Sequence, residues 1–269
     1  MPASDRAPDS QTDLELLHDA VREAGALALQ HFHSRTEAWT KDDGTPVSDA
    51  DLAVNAMLQD RLTSVRPGYG WLSEETSDTG ERLNNSRVWV VDPIDGTRSF
   101  LKGSENWSVA VALVDAGRPV LGSVFAPATG NFYCARSGHG ARCNAKPLTA
   151  SARSELAGAR FIAHEKVLRQ DRWQRPWPQV TTGMTTSLAL RLCLVADGTF
   201  DATLALGDKC DWDLAAGDLI VHEAGGCVSR LDGSKMTYNQ VRTRQSGLVA
   251  SGHALHGEIL DRTKGYKGA

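Results

Sequence analysis

Val88-Trp89-Val90-Val91-Asp92-Pro93-Ile94-Asp95-Gly96-Thr97 is the stretch on which the reading of this chain turns. It opens as an apolar run of strand length and then breaks into two carboxylates, a proline and a glycine. The apolar part predicts a buried strand, and functional groups belong at such strand ends. Asp92 and Asp95 stand three residues apart with Pro93 stiffening the backbone between them. They can converge on hard cations, which favour oxygen ligands and accept backbone carbonyls such as that of Ile94. Gly96 lets the backbone approach an anion, and a helix starting at Thr97 would turn free N–H groups and a positive dipole end toward a phosphate. The same residues also compose an ordinary Asp-Pro-x-Asp-Gly turn, because Asp, Pro and Gly all favour turns. Both readings stay open on this segment alone.

Other acids at element ends extend the first reading. Ser73-Glu74-Glu75 closes a strand-like run from Gly70, and Asp211-Trp212-Asp213 opens a helix that continues through Leu214. Glu74 and Glu75 also suit a solvated acidic turn, and Asp211 or Asp213 a helix cap. Asp51 follows Ser48 by three residues, so it can close a capping box and suit the helix dipole. Capping and chemistry do not exclude each other there.

Working outward, the first 11 residues are polar and are expected to be disordered. Thr12 with Glu15 predicts the capped start of a long amphipathic helix through Leu14, Leu17, Val21, Ala24, Ala28 and Phe32. Asp42-Asp43-Gly44-Thr45-Pro46 breaks that helix, Ser48 caps a second one carrying Leu52, Met57, Leu58 and Leu62, and Pro67-Gly68 stops it. Strands are expected at 70–73, 88–91, 107–114, 119–125 and 131–135. An Ala-, Ser- and Gly-rich boundary at 145–158 separates an N-terminal α+β half, 1–150, from a C-terminal α/β half, 151–269. In the second half Phe161, 199–206, 226–231 and 248–251 read as strands, alternating with helices at 187–196, 214–224 and 255–262. The class is α/β (α+β), without repeats or low-complexity tracts.

Composition removes several functions. The formal net charge of −4 and the absence of a basic run exclude a nucleic-acid polymer as partner. A small anion is compatible with mild acidity, since bound divalent cations reverse the local field. Five scattered cysteines without a C-x-x-C pair, and an N-terminus lacking the basic and apolar regions of a signal peptide, point to a reducing cytoplasm. The longest apolar runs, such as Val109 to Val114, fall far short of the roughly 20 residues that span a membrane. His253 and His256 lack the neighbours of a zinc or triad site. Gly225-Gly226 reads as a helix end and not a dinucleotide loop. Trp173 and Trp177, close to Pro176 and Pro178, read either as a loop packed on the core or as a binding lip.

Taken together, the ordered motifs resemble the inositol monophosphatase superfamily. The matching pieces are Thr45-Pro46-Val47-Ser48-Asp49-Ala50-Asp51, Leu72-Ser73-Glu74-Glu75-Thr76, the Trp89 to Thr97 stretch, Trp212-Asp213-Leu214-Ala215-Ala216-Gly217 and Glu223-Ala224-Gly225-Gly226. Gly138-His139-Gly140-Ala141 with Asn144 and Pro147-Leu148 resembles the family's turn before its second half. The resemblance implies a layered αβαβα sandwich and two or three magnesium ions per site. Glu74, Asp92 and the Ile94 carbonyl would hold one ion, and Asp92, Asp95 and Asp213 a second. Asp51, Thr97 and Glu74 would carry the catalytic roles. Asp95, Gly96, Thr97, Ser187, Arg191, Leu206 and Asp213 would meet a small phosphorylated substrate. A homodimer and lithium inhibition are also implied.

Members acting on inositol phosphate place an acid seven positions before the Asp of the Trp-Asp motif, where this chain has Leu206. An apolar side chain cannot replace hydrogen bonds to a polyol. The helix Ser187 to Gly198 is instead similar to the branch that removes the 3'-phosphate of adenosine 3',5'-bisphosphate. Arg191 or Lys209 would serve its second phosphate, or both are solvated surface charges. Alternatives are an inositol-1-monophosphatase, a sugar or histidinol phosphate phosphatase, and a phosphate-ligand sensor that hydrolyses nothing. The intact Asp51 and Thr97 pair weighs against the sensor. An aspartyl-phosphate phosphatase would need Asp-x-Asp-Gly-Thr, one residue shorter than Asp92 to Thr97.

Overall fold

The computed structural model describes residues 10–34, 37–41, 44, 46–168, 173–264 and 266. Helices α1 (Ser10–His33) and α2 (Asp49–Val65) pack together, and between them lies a small antiparallel hairpin, β1 (Ala38–Thr40) and β2 (Pro46–Ser48). A seven-stranded sheet follows in chain order: β3 (Gly70–Ser73), β4 (Arg87–Asp95), β5 (Ser108–Asp115), β6 (Arg118–Ala126), β7 (Asn131–Arg136), β8 (Ala141–Cys143) and β9 (Lys146–Pro147). Short α3 (Thr97–Leu101) joins β4 to β5. The β3–β4 pair is parallel and the rest are antiparallel. A second, five-stranded sheet uses β10 (Arg160–Ile162), β11 (Thr181–Gly183), β12 (Ala202–Cys210), β13 (Gly226–Ser229) and β14 (Arg244–Gly252), in the order β11-β10-β12-β14-β13. Its helices are α4 (Leu188–Ala196), α5 (Asp211–Glu223) and α6 (His253–Thr263).

Side-chain alternation explains the layering. Along β4, Trp89 and Val91 join a core with Leu17 and Val21 of α1 and Val54 and Leu58 of α2. Val88 and Val90 point the other way, into a core with Leu192 of α4 and Leu214 and Ile220 of α5. That second core also takes Leu248 and Ala250 of β14, while Val249 between them meets Leu255 and Ile259 of α6. A sheet whose successive residues face opposite sides needs cover on both. The result is helix, sheet, helix, sheet, helix, with α4 and α5 shared by the two sheets. Each fully buried large side chain in these cores contributes roughly 1.5–3 kcal/mol.

Several expectations need correction. The Asp-Pro-x-Asp segment is not a turn: β4 continues through Asp95, with a register slip against β5 between Asp92 and Asp95. Such a bulge accommodates Pro93, which cannot donate to a regular ladder. Helix α1 begins before Thr12, so that residue lies inside the first turn. The β1–β2 hairpin and strands β8, β9 and β11 have no counterpart in the sequence reading. Most of the polar leader, residues 1–9, and Asp42, Asp43 and Thr45 lie outside the described residues. Trp173 and Trp177 are buried and stack edge-on in a chain with Phe161, so they pack a loop against the core. Among the described residues no helix is long and apolar enough to cross a membrane, and all five cysteines are free.

Candidate active site

The C-terminal end of β4, the end of β3 and the first turn of α5 meet around a cavity of about 440 Å³. Glu74 continues the β3–β4 ladder, its N–H donating to the Val91 carbonyl at 3.2 Å. The bulge in β4 carries Asp92, Ile94 and Asp95 to the same cavity, with Gly96 and Thr97 immediately after. Gly96 sits at φ 95°, and a Cβ there would lie 2.9 Å from the Asn106 carbonyl. Only glycine suits that position. Asp213 arrives from the other half of the chain, where its Oδ2 accepts the Cys210 N–H at 3.1 Å and so caps α5.

Asp51 closes the capping box of α2 and also reaches Thr97. Its Oδ2 accepts the Ser48 N–H at 2.8 Å and the Ser48 hydroxyl at 2.5 Å, fixing the start of α2. Its Oδ1 lies 3.2 Å from the Thr97 hydroxyl, which is also 3.0 Å from the Ile94 carbonyl. Ser187, expected to meet substrate, is instead fully buried. It donates to Asp95 Oδ2 at 2.6 Å and accepts the Leu190 N–H at 3.0 Å, while the Ala189 N–H also donates to Asp95 at 2.6 Å. The start of α4 therefore anchors Asp95.

Burial and mutual repulsion raise the carboxyl groups of the cavity. Burial first, then the charge of Asp213, pushes Glu74 up to about 8. Burial and then Asp95 push Asp213 up to about 7. Burial, opposed by its Ser48 hydrogen bonds, leaves Asp51 at about 6. Asp92 is raised well above the carboxylate range by burial and by Glu74, Asp95 and Asp213, and its Oδ1 is buried without a hydrogen-bond donor. Among the described residues no three acidic, His or Cys side chains close into a ready-made metal cage. Glu74, Asp92, Asp95 and Asp213 instead line one cavity, within electrostatic reach of one another. An orphaned carboxylate oxygen, mutually repelling acids and a backbone carbonyl make an all-oxygen donor set, which fits a hard divalent cation such as magnesium.

A second cavity of about 390 Å³ adjoins the first and shares Asp95, Met184, Thr186, Arg191, Lys209 and Asp213 with it. Its far wall is apolar, with Val167, Leu188, Leu204 and Leu206. Arg191 and Lys209 thus stand at the junction of the two cavities instead of in open solvent. Arg191 Nε donates to the Thr185 carbonyl at 2.8 Å, and Lys209 Nζ to the carbonyls of Leu206 and Asp208 at 3.1 Å each.

Other neighbours carry no sequence signal. Lys41, at the end of β1, places Nζ 2.7 Å from Glu75 and 3.7 Å from Glu74. Arg98 lines the acidic cavity, His164 the apolar-walled one, and Met184 and Thr186 both. None belongs to a periodic or spaced pattern that could have marked it. His256 is buried between Ser229 and Ser251, and burial pushes it down to about 4. His253 contacts Cys227. Neither histidine faces the acidic cavity.

Comparison with known proteins places the chain in a family. The sequence model of the inositol monophosphatase family matches residues 9–266. A histidinol-phosphatase of Mycobacterium tuberculosis is 36% identical over 237 residues, 83% of this chain and 86% of that protein. The 3'(2'),5'-bisphosphate nucleotidase CysQ of Aggregatibacter actinomycetemcomitans is 32% identical over 239 residues, 84% of this chain and 88% of that protein. Among solved structures, the extragenic suppressor protein suhB of Bartonella henselae superposes with a TM-score of 0.80 at 24% identity, covering 94% of this chain and 99% of the other. An IMPase from Thermotoga maritima gives the same TM-score and identity over 95% and 97% of the two chains. These superpositions establish the layered αβαβα fold, and with a family match over nearly the whole sequence the chain belongs to the inositol monophosphatase family of phosphatases.

Proposed function

We propose that this protein is a magnesium-dependent phosphomonoesterase that releases phosphate from a nucleoside bisphosphate of the adenosine 3',5'-bisphosphate type. One observation carries the reading: an acidic cavity opens into an apolar one, with two cations at the junction. Glu74, Asp92, Asp95, Asp213 and the Ile94 carbonyl would hold the magnesium. When bound it neutralises the acidic wall for a phosphate dianion and renders water acidic enough to be deprotonated near neutral pH.

The chain's own groups supply position and proton transfer. Ser48 occupies one oxygen of Asp51 and leaves the other to Thr97. The Thr97 hydroxyl has one hydrogen and two acceptors in reach, Asp51 and the Ile94 carbonyl, so it links the base to the carboxylate-lined strand end. A carboxyl raised to about 6 is a competent proton acceptor near neutral pH. Attack is in line and direct, with no phosphoenzyme. Arg191 and Lys209 face a second phosphate on the leaving group, and the apolar wall takes the purine.

The histidinol-phosphatase relative supports a second reading, in which histidinol phosphate is the substrate. Its leaving group carries an amine, which Arg191 and Lys209 would repel. Purified protein with magnesium, assayed against adenosine 3',5'-bisphosphate, histidinol phosphate, inositol 1-phosphate and fructose 1,6-bisphosphate, separates the readings. Adenosine 3',5'-bisphosphate should show the highest kcat/KM, by about tenfold or more. A preference for histidinol phosphate would overturn the substrate assignment, and release of phosphate from none of the four would overturn the enzyme.

A further inference from the structure

A buried cation outside both cavities lies between the elements that supply Glu74 and Asp213. Arg82, in a single 3₁₀ turn (Glu81–Asn84), is 3% exposed. Its Nε and Nη2 donate to Asp78 at 3.1 and 2.8 Å. Its remaining donors cross to the other half of the chain: Nη1 reaches Asn239 Oδ1 at 2.6 Å, and Nη2 the Gln240 carbonyl at 3.0 Å. Asn239 holds a left-handed φ of 55°, a conformation that asparagine tolerates better than most residues. Its N–H donates to Asp211 Oδ2 at 2.9 Å, and the other oxygen of Asp211 accepts Gln245 Nε2 at 2.8 Å. Asp211 is fully buried and opens α5, two residues before Asp213. On its other side Arg82 packs against the start of β3, where a Cβ on Gly70 would lie 3.0 Å from Arg82 Cβ. Strand β3 leads directly to Glu74.

We infer that Arg82, acting through Asn239 and Asp211, is a positioning residue that sets the separation of Glu74 and Asp213 and thereby the magnesium affinity of the site. This rests on the metallophosphatase reading. Two like-charged side chains from distant parts of the chain drift apart unless a rigid frame holds them, and partners that orient ligands typically alter metal affinity 10- to 100-fold when lost.

The test is magnesium binding by isothermal titration calorimetry on the full chain. Asn239→Gly keeps the left-handed backbone and the N–H to Asp211 but removes the oxygen that Arg82 uses. Its magnesium dissociation constant should rise about tenfold, while KM for the phosphate ester at saturating magnesium stays near the wild-type value. Asn239→Asp retains an oxygen for Arg82 and should bind magnesium like the wild type. A wild-type dissociation constant in Asn239→Gly, whatever its melting temperature, would overturn the inference, as would equal impairment of both variants. A wild-type protein that takes up no magnesium would overturn the metallophosphatase reading and this inference with it.

Discussion

The Oδ1 atom of Asp92 is buried without a donor, while Glu74, Asp95 and Asp213 all press negative charge upon it. Asp92→Asn removes the ionisable carboxyl at the same volume, so two opposite effects are expected. In chelator the variant should melt at a higher temperature than wild type, because the cost of burying an ionisable carboxyl, and of setting it among other acids, is relieved. In magnesium its turnover should fall on the order of a thousandfold, since a lost metal contact forfeits several kcal/mol of charge stabilisation. A variant with near-normal turnover would remove Asp92 from the metal site. Acids at element ends were legible in the sequence, whereas the choice of Glu74 over Glu75 and of Asp213 over Asp211 came from the resemblance. For Arg191 and Lys209 the sequence left a second-phosphate role and a solvated surface charge both open, because whether a cation faces solvent or a cavity depends on which side of its element packs. Ser187 was misjudged for a related reason: a helix-capping hydroxyl can point at a ligand or, as here, at the carboxylate that lines the site.

Helix α5 brings Asp213 to the cavity, and its seat on the sheet depends on one small residue. A Cβ on Gly122 of β6 would lie 2.9 Å from the Ala216 carbonyl of α5. Gly122→Ala should therefore lift the helix and destabilise the protein by about 1–3 kcal/mol, read as a lower urea midpoint with an unchanged slope. An unchanged midpoint would mean that the helix yields freely. The elements with strong apolar patterns, β4 to β7 and the 24-residue α1, were legible from the sequence. The β1–β2 hairpin and strands β8, β9 and β11 are only two or three residues long, too short to carry a period of two. The bulge in β4 was hidden because Asp, Pro and Gly favour turns locally, whereas pairing with β5 keeps the backbone extended.

At the scale of the molecule, the site acids make stability depend on pH in a definite direction. Unfolded carboxyls ionise near pH 4, whereas Glu74 and Asp213 in the folded chain do so near 8 and 7. The folded state therefore binds more protons, so the stability these groups contribute is full below about pH 4 and is lost as pH rises through 7 and 8. Melting temperature in chelator should fall between pH 5 and pH 8.5, and excess magnesium, binding only the folded chain, should flatten the decline. A rise across that window would contradict the assignment. The arrangement of α4 and α5 between the two sheets has its own consequence. A backbone severed in the segment 148–154 would give one fragment whose seven-stranded sheet has a naked oily face and another whose α4 and α5 keep the five-stranded sheet on one side but lose their cover on the other. Neither piece should stay dissolved alone, yet synthesised side by side they should knit into a working phosphatase, a split reporter whose signal appears only when its parts reunite.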